Sequence, residues 1–388
     1  MKFLRSFNSL IALGVLLTSY PGATFAQHYT RTDLVSDTVG APPVHDPNLV
    51  NAWGLSRSST SPWWVSDNGT GLSTLYTGAG AIVPINGTGT VAIPPPKKAP
   101  EGTIATPTGT VFNGSTDFVL PAPNGKPAVF LFATEDGTIS GWNGGPSAVL
   151  AVDDLKFGQP DSPVYKGLTS ADRGGKRFLY VTNFRAGRVE VYDTHFHQVS
   201  LPSWAFDPNV DDDDHDDHGD HPSGDHIPRG FAPFNIQNIG GNLFVTYAKQ
   251  DAQRHDDEAG PGNGFVEIFA PNGKHIGHLQ HGWWLNSPWG VVWTPRDFGK
   301  FSNTILVGNF GSGTIAAFNG FTYKFIGFLK NPDDTLLTID GLWALAFGNG
   351  QGAGPSTTLY FTAGPHGEQD GLFGNLIPVT AEQVGDVE

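Results

Sequence analysis

Ile305-Leu306-Val307-Gly308-Asn309-Phe310-Gly311-Ser312-Gly313-Thr314-Ile315-Ala316-Ala317-Phe318 reads as a strand, a tight glycine-rich turn and a second strand. The same shape returns at Leu179-Tyr180-Val181-Thr182-Asn183-Phe184-Arg185-Ala186-Gly187-Arg188-Val189-Glu190-Val191-Tyr192. Four further hairpins run over Trp64–Tyr76, Val129–Trp142, Leu243–Phe269 and Leu359–Phe373. Gly71, Gly137, Gly187 and Gly313 stand where the turn must admit a positive φ, which glycine adopts without a Cβ penalty.

Ahead of each hairpin lies a short strand with a small residue at its centre. The six are Trp53-Gly54-Leu55, Thr108-Gly109-Thr110, Lys166-Gly167-Leu168, Phe234-Asn235-Ile236, Trp289-Gly290-Val291 and Trp343-Ala344-Leu345. Their central residues are 55, 58, 68, 55 and 54 positions apart. A near-constant all-β period of this length predicts propeller blades. A less regular fourth strand, such as Lys324–Leu329, follows in most units. The fold expected is therefore all-β, a six-bladed β-propeller with four-stranded blades. The sixth unit ends at Leu376-Ile377-Pro378-Val379, one strand short, and Tyr29–Ser36 is a strand without a neighbour. The N-terminal strand is expected to complete the sixth blade and close the ring, removing open sheet edges.

Composition agrees. The chain of 388 residues has 51 Gly, 30 Pro and only 15% charged residues, and no 3.6-residue apolar periodicity of helical length stands out. Residues 1–26 read as a cleaved export signal, with Lys2 and Arg5, an apolar core from Ser9 to Thr18 and Thr24-Phe25-Ala26 at the cut. That core is too short to span a bilayer, and no later stretch is apolar enough. Residues 27–388 then form a single propeller domain, exported to the periplasm or beyond. The absence of cysteine excludes thiol chemistry and Cys-ligated metals. Net charge is −15, or −17 without Lys2 and Arg5, so nucleic acid and anionic membrane are not expected partners.

The long interval between the third and fourth triplets holds Asp211–His226, with eight aspartates and four histidines in 16 residues. Such a run cannot form a core and is expected to be a solvated, disordered loop. Its His215, His218, His221 and His226 are candidate ligands for zinc, copper or nickel, though their irregular spacing builds no fixed cage.

Asp46-Pro47-Asn48-Leu49-Val50-Asn51-Ala52-Trp53-Gly54-Leu55, Trp64-Val65-Ser66-Asp67-Asn68-Gly69-Thr70-Gly71 and Ala133-Thr134-Glu135-Asp136-Gly137-Thr138-Ile139-Ser140-Gly141-Trp142 resemble an uncharacterised family of exported bacterial proteins. Gly230-Phe231-Ala232-Pro233-Phe234-Asn235-Ile236 and His255-Asp256-Asp257 fit it as well. Some of its members carry a PEP-CTERM sorting tail, which has no counterpart in this chain; the resemblance then implies release rather than surface sorting. More distantly the blades resemble NHL and gluconolactonase-like six-bladed propellers, which include binding modules and calcium-dependent hydrolases.

In such a ring the turn between the second and third strands of a blade lies on the same face as the lead into its first strand. Aligning the hairpins puts Asp67, Asn183 and Asn309 at one equivalent position, with Thr134-Glu135 in the second blade. Asp67, Glu135, Asn183 and Asn309 are thus candidate ligands for calcium, which takes six to eight oxygens. Asp and Asn before a glycine turn also serve simply to hydrogen-bond that turn. The fourth blade replaces the turn with a charged excursion from Lys249 to Glu258, and the sixth with Gly364-Pro365-His366-Gly367-Glu368. His366, His255 and Asp257 are the candidate proton-handling residues. Asn51, Lys249, Asp251, Asn286 and Asp340 are candidate ligand-binding residues. Trp63-Trp64 and His281-Gly282-Trp283-Trp284 can stack on sugars, although packing serves them equally, and Trp53, Trp289 and Trp343 are expected to pack between blades. Asn68, Asn86 and Asn113 head glycosylation sequons that are also turn signals.

No phosphate loop or nucleophile elbow is present. Two functions stay open. One is a secreted monomer binding a small molecule, glycan or protein at the channel mouth. The other is a calcium-dependent lactonase- or esterase-like hydrolase using the polar ring.

Overall fold

A computed structural model describes residues 28–379 apart from 41, 86, 154–158 and 210–225. These residues build a six-bladed β-propeller. The inner ring consists of Ala52–Ser56, Pro107–Phe112, Tyr165–Arg173, Phe231–Ile239, Pro288–Trp293 and Leu342–Phe347. Each inner strand lies against those of the two flanking blades, the last against the first. Outward the strands run antiparallel; in the fifth blade they are Thr304–Asn309, Ile315–Asn319 and Phe325–Phe328. The third blade departs from four full strands. Its outer edge is a bridge between Tyr192 and Gln198, with the Val199 N–H donating to Val191 O at 2.7 Å.

Tyr29–Ser36 pairs antiparallel with Leu372–Pro378 and completes the sixth blade, as expected. Tyr29 is fully buried, stacks on Phe298 at 4.8 Å and donates its hydroxyl to Phe298 O at 3.0 Å. The four turn glycines have φ between 67° and 79°.

The triplets that set the period are β-bulges. In every blade the pairing of first and second strands slips there, for example between Ala52 and Leu55, Pro107 and Thr110, and Leu342 and Leu345. Tyr165 to Gly167, Pro233 to Asn235 and Pro288 to Val291 do the same. The central residue of the triplet presses on the next blade's backbone. A Cβ on Gly109 would lie 2.5 Å from Leu168 N, and one on Gly290 would lie 2.7 Å from Trp343 O. Gly109→Ala is accordingly expected to lower stability by about 2 kcal/mol by forcing neighbouring inner strands apart. Denaturant titration checks this, and an unchanged midpoint would contradict it.

The bulge sends the first residue of the triplet toward the axis. Trp53 stacks on Trp343 at 3.7 Å and meets Trp289 edge-on at 6.4 Å, while Phe234 reaches Trp343 at 5.9 Å. Trp53 and Trp343 belong to neighbouring blades and pack between them, as expected, whereas Trp53 with Trp289 and Phe234 with Trp343 join blades that are not adjacent, so the rings also meet across the axis. A buried aromatic cluster therefore occupies the axis.

Candidate functional site

At the triplet position where other blades place Trp, Phe or Thr, the third blade has Lys166. The residue is 1% exposed. Its Nζ pairs with Glu135 and, at 3.1 Å, with Asp256. It also lies 5.1 Å from the Trp53 ring centre and 5.9 Å from that of Phe184, close enough for cation–π attraction. Burial lowers its pKa, but the charges of Glu135 and Asp256 override it and hold the lysine above its usual value.

The turns of neighbouring blades bring further polar groups around this ammonium. Glu135, from the second blade, accepts from Asn68 Nδ2 at 2.8 Å. Asn51 donates to Asn68 Oδ1 at 3.3 Å and to Glu368 Oε2 at 2.7 Å, and accepts from Trp343 Nε1 at 2.9 Å. From the fourth-blade excursion, His255 Nδ1 lies 2.9 Å from Asp256 Oδ1. That hydrogen bond raises the His255 pKa, and together with the Lys166 charge it holds Asp256 below the usual carboxylate range. Burial pushes Glu368 up, against the Asn51 hydrogen bond and aided by the Glu135 charge. Burial also pushes Asp257 up, against Ser287 and Lys166. A cavity of about 540 Å³ extends from Glu135, Asp136 and His255 to Ser162 and Arg185.

Of the residues singled out in the sequence, Glu135, Asn51, His255 and Asp257 converge here. The others are placed differently. Asn183 Oδ1 accepts from Ala186 N within its own turn, and its amide donates to Glu190 at 2.9 Å. Asn309 accepts from Asn286 N and donates to Trp284 O and Thr314. Both side chains hold turns together. Asp67 is completely buried inside the first blade, where its Oδ1 accepts from Thr74. Asn286 Oδ1 accepts from Gly260 N, and Asp251 shapes the excursion by accepting from His255 N. Lys249 pairs with Glu258 at 2.5 Å, both half exposed. His366 is exposed, 2.5 Å from Asp370, with its N–H on Asp340; Asp370 raises its pKa. His226 lies 3.3 Å from Asn209. His215, His218 and His221, the segment 1–26 and Asn86 fall outside the described residues.

Trp63 and Trp64 are core residues, whereas Trp283 is 65% exposed and Trp284 stacks on Phe325. Asn68 and Asn113 are buried and hydrogen-bonded. Asp256 and Glu368 lie in the two pattern-breaking turns without being marked individually, whereas Lys166 and Asn68 carry no site expectation in the sequence. For Lys166 a signal existed: a single charge at a position otherwise aromatic or Thr.

Asp67 yields a pH prediction. Its pKa is raised well above the carboxylate range by burial, and its Oδ2 has no partner among the described residues. A raised folded pKa gives stability that is present below the unfolded value and lost as pH rises through the folded one. Asp67→Asn is therefore expected to raise the melting temperature at neutral pH, with the gain shrinking as pH falls. Melts across pH check it; a pH-independent difference would contradict it.

No family model matches the chain. An uncharacterised protein of Acanthamoeba polyphaga mimivirus is 28% identical over 345 residues, covering 86% of this chain and 81% of that protein. A second from the same virus is 34% identical over 219 residues, covering 55% of this chain and 37% of its own length. The chain thus spans little more than a third of that second relative. Among solved structures, a protein of unknown function from Bacteroides thetaiotaomicron matches with TM-score 0.52 at 8% identity, over 90% of this chain and 76% of that one. Virginiamycin B lyase from Staphylococcus aureus matches with TM-score 0.48 at 9% identity, over 91% of this chain and 100% of that one. At such identities the likeness concerns the fold alone. Among the described residues no helix is long and apolar enough to cross a membrane.

Proposed function

We propose that the chain is an exported binding propeller that takes a small hydroxyl-rich ligand, of the glycan type, at this mouth of the ring. The observation that carries the reading is the convergence of Lys166, Glu135, Asp256, His255, Asn51, Asn68 and Glu368 beside the axial aromatic cluster. A hydroxyl both donates and accepts, so it suits a mouth that mixes carboxylates, amides and an imidazole. The adjoining cavity of about 540 Å³ fits a small molecule, and its lining by Glu135, His255 and Arg185 supplies the few convergent polar groups such sites use. Calorimetric titration with neutral, acidic and amino sugars tests this. Saturable binding that is lost in His255→Ala and Glu368→Ala is expected; no saturable heat from any class would overturn it.

A second reading, a metal-dependent hydrolase, draws on the clustering of Glu135, His255 and Asp256, whose ligand atoms lie within 4.8 Å of one another. The set does not fit calcium as it stands. Lys166 Nζ already lies against Glu135 and Asp256 where the ion would sit, and a histidine nitrogen is a poor ligand for so hard a cation. Export rests on residues 1–26 and is checked by cell fractionation. The expected monomer is checked by light scattering.

A further inference from the structure

On the outer edge of the fourth blade, away from the axis, a second polar cluster is built on a bulge. The strand Gly264–Phe269 pairs with the outermost strand His275–His278, with Glu267 opposite His278, Ile268 opposite Gly277 and Phe269 opposite His275. Residues three apart on a regular strand face opposite sides. Here the register slips by one, Ile276 is the extra residue, and His275 and His278 come to the same face as Glu267. Glu267 is 3% exposed, and its Oε2 lies 2.7 Å from His275 Nε2. The ligand atoms of all three residues lie within 4.8 Å of one another.

The fifth blade is an internal control. Its outer strand Phe325-Ile326-Gly327-Phe328 has the same bulge, with Phe328 opposite Ala316, Gly327 opposite Ala317 and Phe325 opposite Phe318. The backbone therefore forms this edge with two Phe and an Ala where the fourth blade has two His and a Glu. The architecture does not demand the polar triad, and burying a carboxylate costs stability unless a cation offsets it. On the same face, two residues along from Val245 (the partner of Glu267 on the next strand), the Tyr247 hydroxyl is buried with no partner among the described residues.

We propose that Glu267, His275 and His278 form a binding site for a borderline divalent transition-metal ion such as zinc. Two imidazoles and one carboxylate are a ligand set suited to zinc, cobalt or nickel rather than calcium, and three protein ligands leave a tetrahedral ion one open position. The site is separate from the mouth and does not depend on the function proposed for it.

The test is zinc titration of the full chain against a chromophoric chelator, with His215, His218, His221 and His226 changed to Asn so that the acidic loop does not compete. One equivalent of tightly bound zinc is expected. Glu267→Ala/His275→Phe/His278→Phe, which installs the fifth blade's residues, is expected to lose that equivalent. No tight zinc in the parent, or an unchanged equivalent in the triple variant, would overturn the site. Should the triple variant not fold, the cobalt-loaded parent decides. Intense visible ligand-field bands of a tetrahedral nitrogen–oxygen site support the proposal, and their absence refutes it.

Discussion

A chain lacking residues 28–36 is expected to lose cooperative folding and to associate. That segment supplies the outer strand of the sixth blade, paired from Tyr29 with Pro378 to Ser36 with Leu372. Removing it exposes the unpaired edge of Leu372–Pro378, an invitation to pairing with other chains. It also removes Tyr29 from the cluster of Phe298, Phe301 and Leu376, and Leu34 and Val35 from that of Trp63, Tyr76 and Phe373. The point variant Tyr29→Ala isolates the anchor. It is expected to cost about 4 kcal/mol, as large aromatic truncations in cores do. Circular-dichroism melts and size-exclusion chromatography check both. A truncated chain that melts like the parent and elutes as a monomer would show that the ring is held by other means.

Lys166→Met is expected to be nearly as damaging. The methionine matches the stem in length but leaves Glu135, whose side chain is 10% exposed, without its cation. Removing one partner of a buried pair costs about 3–5 kcal/mol, because the remaining charge stays desolvated. Asp256, at 66% side-chain exposure, adds little to that cost. Adding Glu135→Gln to Lys166→Met should restore much of the loss, giving a large coupling energy in a double-mutant cycle. Parent and variant should also differ in pH dependence. In the parent, Lys166 is held above its usual 10.5, so its contribution is complete below that value and lost as pH rises through the folded one. Additive effects and parallel pH curves would contradict the pairing.

The fold was readable because its repeated features are backbone requirements that leave a mark in residue type. The bulge in each inner strand presses it against the next blade's inner strand and selects small residues such as Gly54, Gly109 and Gly290, and the hairpin turns select Gly71, Gly137, Gly187 and Gly313. Counting those marks gave six blades and left Tyr29–Ser36 over as the closing strand. The site was only half readable, because it depends on side-chain direction. Asp67, Asn183 and Asn309 sit one residue before Asn68, Phe184 and Phe310, as Thr134 sits before Glu135, and it is the later position that meets the mouth, in Asn68, Glu135 and Phe184. In the sequence Lys166 is simply the first member of a strand triplet, and nothing in a period reveals that this residue meets the axis. The triad at the fourth blade's edge was hidden more completely. His275 and His278 face the same side only because Ile276 is an extra residue, and that slip is a matter of register, not of spacing.

The proposed ligand site at the mouth has the protein's own ammonium as its cation. A thermal-shift comparison of the metal-stripped chain, alone, with millimolar calcium and with each sugar class, tests this most directly. The melting temperature should be unmoved by calcium and raised by at least one sugar class, the rise disappearing in Glu368→Ala. A calcium-dependent rise that vanishes in Glu135→Ala, with no response to any sugar, would contradict it and favour the metal-dependent hydrolase.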